Sequence, residues 1–322
     1  MSERKPYFSV VIPLYNKAPH VARSINSVLN QSFNDFEVII VNDASTDNSI
    51  DEVKKFNDKR IRIFHREQPG PGGYAARNLG IKEAKSDWVA FIDADDEWFP
   101  DHLERVRELI IKYPEVNIIG CGWRKSMNGS FWEDAYYRRY NGRGSHMIDA
   151  RQYLSFCLAG MRPIHTSLAC INKNSPLALN LFPSELKAKR GGDLHAWLKM
   201  ICFHKEMAWS DHLGANYFLD SQNMVTKTAP SSFGLMTREV YKELSVKLSI
   251  DERVLLKKYL NLRLKSSWMY NIKRNAENFN LIQRLYWSGD MLNAFKYSFF
   301  SIMPSPMLNV AISVNSLLKR NA

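Results

Sequence analysis

WVAFIDADDEW, residues Trp88 to Trp98, joins five consecutive apolar residues to a run of acid: Asp93, Asp95, Asp96 and Glu97. Trp88, Val89, Ala90, Phe91 and Ile92 fit a strand covered on both faces, as in a parallel sheet flanked by helices. Ligands of open α/β sheets bind at the carboxyl ends of such strands. Carboxylates packed together raise one another's pKa unless a cation compensates, and an Asp-x-Asp pair offers a hard dication oxygen ligands on a short turn. A metal carrying phosphate is the simplest reading. The alternative is that Asp95 or Asp96 caps a helix beginning near Pro100.

Upstream, the same alternation repeats. Phe8 to Ile12 predicts a strand stopped by Pro13, and Val21, Ile25, Val28 and Leu29 lie at helical spacing within Ala18 to Leu29. Phe36 to Val41 is a second strand, followed by NDASTDNS, where Ser45, Thr46 or Asp47 would cap a helix reaching about Phe56. Ile61 to Phe64 is a third strand, HREQPGPGG an irregular loop, and Tyr74 to Ala84 a helix that leads into the acidic strand. Strands alternating with helices imply a mainly parallel, Rossmann-like sheet. Downstream, a helix should run to about Lys112, a strand from Val116 to Trp123, a helix from Asp149 to Ala159, a strand from Ile164 to Ile171 and a helix from Asp193 to Phe203. Arg124 to Met147 is polar, aromatic and without a clear period. From Leu235 the pattern is helical, including Leu255 to Ile272 and Leu281 to Phe300.

The chain has 322 residues, 45% of them hydrophobic and 24% charged, the composition of a globular protein with a large core. Its four cysteines, Cys121, Cys157, Cys170 and Cys202, form no C-x-x-C pair and sit among apolar neighbours, which points to reduced core thiols. No signal peptide precedes the first strand, so a cytoplasmic location is expected. The net charge of +11 is uneven: 30 Lys and Arg face 27 Asp and Glu up to residue 234, and 14 face 6 beyond it. That basic tail also carries Trp268, Tyr270, Tyr286, Trp287, Phe295, Tyr297, Phe299 and Phe300, a mixture suited to an anionic membrane surface. Met291 to Val314 is interrupted by Lys296, Pro304 and Pro306, which favours lying in the interface over crossing it. No nucleic-acid reading motif is present, and no nucleic-acid partner is expected.

The first, second and fourth strands each end in a polar cluster: Tyr15 and Asn16, Asn42 and Asp43, Asp93 and Asp95. On one edge of a parallel sheet these would recognise a nucleoside diphosphate in parts. Tyr15 stacks on a base, Asp43 accepts a pyrimidine N3–H, Asp93 holds ribose hydroxyls, and Asp95 binds the cation bridging the phosphates.

FSVVIPLYN, VIIVNDASTDNS, PGPGGYAARNLGI and FIDADD, in this order and spacing, resemble the nucleotide-binding half of family 2 glycosyltransferases, which have the GT-A fold. The resemblance covers about residues 7 to 112. It implies an inverting transferase that takes a nucleotide-activated sugar, usually a UDP-sugar, with Mn²⁺ or Mg²⁺. Its nucleotide-sugar set would be Pro13, Tyr15, Asn16, Asp43, Arg77, Asp93 and Ala94, with Asp95 on the metal. The family's base lies in a Glu-Asp pair opening a helix that contains a tryptophan. GGDLHAWLKM matches that segment, with Asp193 as the base, Gly192 where the glutamate is common, and His195 where an acid is frequent. Residues 1–234 would then form the GT-A domain, 1–112 its nucleotide-sugar half and 113–234 its acceptor half. Residues 235–322 would form a basic helical region.

The basic tail places the expected enzyme peripherally at the inner face of a bacterial plasma membrane. There it would extend a lipid-diphosphate-linked saccharide in O-antigen or capsule assembly, with homo-oligomerisation as another use of the helices. The rivals are a nucleotide-sugar binder that has lost catalysis, consistent with Gly192, and a dinucleotide-dependent oxidoreductase. The latter needs G-x-G-x-x-G straight after a strand, whereas the first loop, PLYNKAPH, has no glycine.

Overall fold

The computed structural model describes residues 4–186, 188, 190–224, 234–273 and 279–302. Its first half is strand and helix in alternation: β1 (Phe8–Leu14), α1 (Val21–Leu29), β2 (Phe36–Asn42), α2 (Ser49–Lys54), β3 (Ile61–His65), α3 (Tyr74–Glu83), β4 (Trp88–Phe91), a two-residue β5 (Glu97–Trp98) and α4 (His102–Lys112). The second half runs β6 (Ile118–Met127), β7 (Ser130–Glu133), α5 (Ala135–Tyr140), β8 (His146–Asp149), α6 (Ala150–Leu158), β9 (Cys170–Asn172), α7 (Gly192–His204) and β10 (Glu206–Phe218). Helices α8 (Arg238–Ser245), α9 (Ile250–Lys273), α10 (Leu281–Arg284) and α11 (Met291–Ile302) follow.

One sheet of order β3-β2-β1-β4-β9-β6-β10-β5 organises the chain. Its first four strands pair in parallel, as does β10 with β6, while β9 enters antiparallel between β4 and β6. The apolar run that opened the sequence reading is covered on both faces. Val89 and Phe91 join the core beneath α7, with Trp197 and Phe182, whereas Trp88, Ala90 and Ile92 join the core beneath α1 and α4, with Ile25 and Leu103. The first of these cores continues through Leu256, Tyr259, Leu264 and Trp268 of α9, so the C-terminal helices are built onto the sheet.

Several local expectations are corrected. Strand β1 does not stop at Pro13 but pairs with β2 through Leu14. The N–H that proline lacks falls on the β4 side, where ladder pairing has already ended at Val11 opposite Phe91. Helix α2 begins at Ser49 after an Asn48 N-cap, because Asp47 is spent on the preceding turn, where it accepts from the N–H groups of Ala18 and Ser49. The predicted strand 164–171 is a 3₁₀ turn, Thr166–Leu168, followed by the short β9. The predicted helix 281–300 is two helices, because Asn261 binds both the N–H and the carbonyl of Tyr286 and holds the chain in a turn between them. The tail of the Met291–Val314 stretch beyond residue 302 lies outside the described residues; within them no helix is long and apolar enough to cross a membrane. All four cysteines are free and buried.

Candidate active site

The ends of β1, β2 and β4, the glycine-rich loop before α3 and the start of α7 enclose a cavity of about 660 Å³. Of the residues predicted for the site, Pro13, Tyr15, Asp43, Arg77, Asp93, Ala94, Asp95 and Asp193 all line it. Asn16 does not. Its left-handed backbone (φ 50°) and its carboxamide, which accepts from the Thr46 N–H at 2.8 Å, tie the loop after β1 to the loop after β2. Tyr15 is 43% exposed and lines the cavity.

The acidic cluster divides into separate positions, and among the described residues Asp93, Asp95 and Asp96 do not converge on one point. Asp93 receives Nη2 of Arg77 at 2.5 Å, while Nη1 of Arg77 donates to the Gly72 carbonyl at 2.9 Å, locking the glycine loop to the strand end. Burial would raise the Asp93 carboxyl, but the Arg77 guanidinium outweighs it and holds the group below its ordinary value. Asp95 receives Lys17 Nζ at 2.6 Å, in a pair whose side chains are each 12% exposed, and the same ammonium reaches the Gln222 carbonyl at 2.6 Å. Asp96 points away, into the protein, where Ser167 Oγ and the Phe218 N–H donate to it. Burial first, then the charges of Asp95 and Asp93, push its carboxyl well above the ordinary range. Neither Asp95 nor Asp96 caps α4, whose N-cap is Asp101, so the capping alternative fails.

Asp43 is 1% exposed, and both its oxygens are engaged, by Arg66 and by the Gly70 N–H at 3.1 Å. A carboxylate has about four acceptor positions, which leaves capacity for a base N–H.

Asp193 lies in the first turn of α7 and lines the same cavity. Its Oδ2 accepts from Thr166 Oγ1 at 3.3 Å, and Thr166 Oγ1 in turn accepts from the indole N–H of Trp197 at 3.3 Å. Gly192 precedes it for a steric reason. Its N–H donates to Tyr74 Oη at 2.8 Å, and a Cβ there would stand 2.5 Å from the Tyr74 ring and 2.9 Å from Pro183. His165 keeps its Nδ1 as acceptor for the Ser167 N–H at 3.3 Å, and burial pushes it down to about 4 despite Asp93 and Asp193 nearby, so it is neutral at ordinary pH. His195 is buried beneath α7 and does not line the cavity.

Sequence reasoning missed Lys17, Tyr74, Arg190 and Tyr217, which line the cavity, and Thr166, which orients Asp193. Lys17 stands next to the Tyr15-Asn16 motif and could have been found there; the others depend on contacts between distant segments. Arg190 stacks its guanidinium 4.5 Å from the centroid of Tyr270, and its buried Nη1 has no partner among the described residues. Asp95 supplies hard oxygen donors of the kind Mg²⁺ or Mn²⁺ takes, and Lys17 already holds a positive charge against it, so that carboxylate fits a dication in competition with Lys17.

Residues 9–168 match the family model described as glycosyl transferase family 2. An uncharacterized glycosyltransferase of Rickettsia bellii is 33% identical over 204 residues, 60% of this chain and 26% of that protein. The uncharacterized glycosyltransferase YibD of Escherichia coli is 32% identical over 161 residues, 49% and 45% of the two chains. TuaG of Bacillus subtilis, a putative teichuronic acid biosynthesis glycosyltransferase, is 37% identical over 114 residues, 35% and 45%. The chain thus spans a quarter to under half of the length of these relatives. Among solved structures, S. aureus TarS 1-349 in complex with UDP-GlcNAc superposes with a TM-score of 0.70 at 19% identity, covering 91% of this chain and 88% of that one, which shows the GT-A fold.

Proposed function

We propose, from the family 2 glycosyltransferase domain matched over residues 9–168, that the chain transfers a sugar from a nucleotide-sugar, a UDP-sugar by preference, to a saccharide hydroxyl with inversion. The observation that carries this is that one cavity is lined both by the nucleotide-reading set and by Asp193. Tyr15 stacks on the base, Asp43 accepts its N3–H, and Asp93, held by Arg77, binds the ribose. Pro13 and Ala94 shape the floor. Asp95 would hold Mn²⁺ or Mg²⁺, whose chemistry there is to neutralise the diphosphate.

Asp193 accepts the proton of the acceptor hydroxyl as that oxygen attacks the anomeric carbon and the bond to the diphosphate breaks. The carboxylate takes the proton only as the new bond forms, so it need not be a strong base. Thr166 fixes the carboxylate's direction, and Lys17 and Arg190 turn their charge toward the departing diphosphate, so positioning and electrostatics supply most of the acceleration.

The binder that has lost catalysis is disfavoured by the geometry around Gly192. The place where a glutamate would stand is filled by Tyr74, and Asp193 reaches the cavity without it. The oxidoreductase reading has no support in the first loop or in the relatives. Helix α11 supports a peripheral site on the inner face of a bacterial membrane and a lipid-linked acceptor in surface-polysaccharide assembly. Ala294 and Tyr297 pack inward, while Leu292 (83%), Phe295 (69%) and Ile302 (68%) are exposed. The test of transfer is incubation with a panel of UDP-sugars and Mn²⁺. Sugar release or transfer dependent on Asp193 supports the proposal, and tight binding without turnover restores the binder.

A further inference from the structure

Away from the cavity, three donor side chains meet in the core between α4 and the sheet. His102 is the first residue of α4, Cys121 lies in β6 and His212 in β10, and all three are buried. His102 Nδ1 stands 3.2 Å from His212 Nε2 and 3.8 Å from Cys121 Sγ, and all three donor atoms lie within 4.8 Å of one another. Zinc bonds of about 2.0–2.1 Å to imidazole and about 2.3 Å to thiolate, arranged tetrahedrally, set ligand atoms about 3.3 Å (N to N) and about 3.6 Å (N to S) apart.

The surroundings are built around these atoms. The register of β10 against β6 slips on both sides of Leu213, and such a bulge re-aims a side chain, here placing His212 against His102. Ser210 Oγ lies 2.8 Å from His212 Nδ1, the outer partner that leaves Nε2 as the coordinating nitrogen. Gly214 backs the cluster, where a Cβ would come within 2.6 Å of Cys121 Sγ and 2.7 Å of His102 Nδ1. Burial dominates at His212, with Asp101 and Asp211 acting against it from outside and Arg105 with it.

We propose that His102, Cys121 and His212 form a three-ligand site for one Zn²⁺ ion that ties α4 and β10 to β6. Binding replaces the S–H bond of Cys121 by an S–Zn bond and releases one proton, with no change of oxidation state. The ion would hold the start of α4, four residues beyond Trp98, against β6 and β10 of the acceptor half. This site is independent of the glycosyl-transfer reading.

The test uses Co²⁺ as a spectroscopic probe on the full chain, with Zn²⁺ as competitor. One equivalent of Co²⁺ should produce a thiolate-to-cobalt charge-transfer band that Zn²⁺ abolishes, that Cys121→Ser and His212→Gln lose, and that Asp95→Asn keeps. Ser210→Ala should weaken Co²⁺ binding by about tenfold or more. A wild-type protein without the band, or a band surviving in folded Cys121→Ser, where the other three cysteines remain, overturns the site. Should Cys121→Ser fail to fold by circular dichroism, His212→Gln carries the comparison under the same criterion.

Discussion

Replacing Gly192 by alanine adds a single methyl, yet the structure leaves no place for it. The new carbon would lie 2.5 Å from Cζ and 2.7 Å from Cε2 of Tyr74, whose ring is confined on its other side by Gly72, where a Cβ would come within 2.4 Å. Tyr74 is 3% exposed and stacks parallel to Phe182, so the ring can retreat only toward the cavity it lines. Overpacking of this kind costs about 1–3 kcal/mol. Displacing the phenol also breaks its hydrogen bond with the Gly192 N–H, worth about 0.5–1.5 kcal/mol. Alanine recovers up to about 1 kcal/mol of helix propensity, less at a first-turn position. The balance is a loss of about 1–3 kcal/mol, or a Tm lower by roughly 2–8 °C in thermal melts of Gly192→Ala beside wild type. Because Asp193 follows directly, turnover should fall more than nucleotide affinity. Unchanged Tm and unchanged turnover together would refute the claim that Tyr74 dictates a glycine here.

The ion pair of Lys17 with Asp95 competes with a dication for the carboxylate. Lys17→Met should therefore tighten Mn²⁺ binding without nucleotide by roughly tenfold, about 1.4 kcal/mol, as read from free Mn²⁺ by electron paramagnetic resonance; equal or weaker binding contradicts that competition. The Asp96 carboxyl is raised in the folded state, so the stability it contributes is full below its unfolded value and is lost as pH rises through the folded one. Asp96→Asn removes that loss, and the Tm of the variant minus that of wild type should grow as pH rises from 5 to 9; a difference independent of pH would show that Asp96 does not titrate abnormally. Phe295→Glu combined with Phe299→Glu should reduce flotation on anionic vesicles while leaving the fold intact by circular dichroism, and equal flotation would move the exposed face of α11 to some other use.

The strand-end side of the cavity was legible because its residues are local. Each strand end carries its polar cluster within a few positions of an apolar run, and parallel pairing brings the ends to one edge, so Tyr15, Asp43, Asp93 and Asp95 could be placed from period and order alone. Asn16 shows where that reasoning stops: adjacency to Tyr15 put it in the site, whereas its carboxamide closes a loop. The second half was harder, because its strands enter antiparallel and out of order. β9 is three residues long, and the turn holding Thr166 and Ser167 reads as strand from its apolar neighbours. The meaning of Gly192 was invisible, since its neighbour Tyr74 is 118 residues away. The triad of His102, Cys121 and His212 spans 110 residues and depends on a strand bulge that no periodicity announces.

The central claim is that one cavity both binds a nucleotide-sugar and removes a proton with Asp193. Asp193→Asn keeps the shape and the contact with Thr166 but cannot accept the proton. Measured side by side with wild type on an active UDP-sugar, it should lose transfer by about 10²–10⁴-fold while binding UDP with an affinity within a few-fold of wild type. Near-normal transfer by Asp193→Asn would contradict the account.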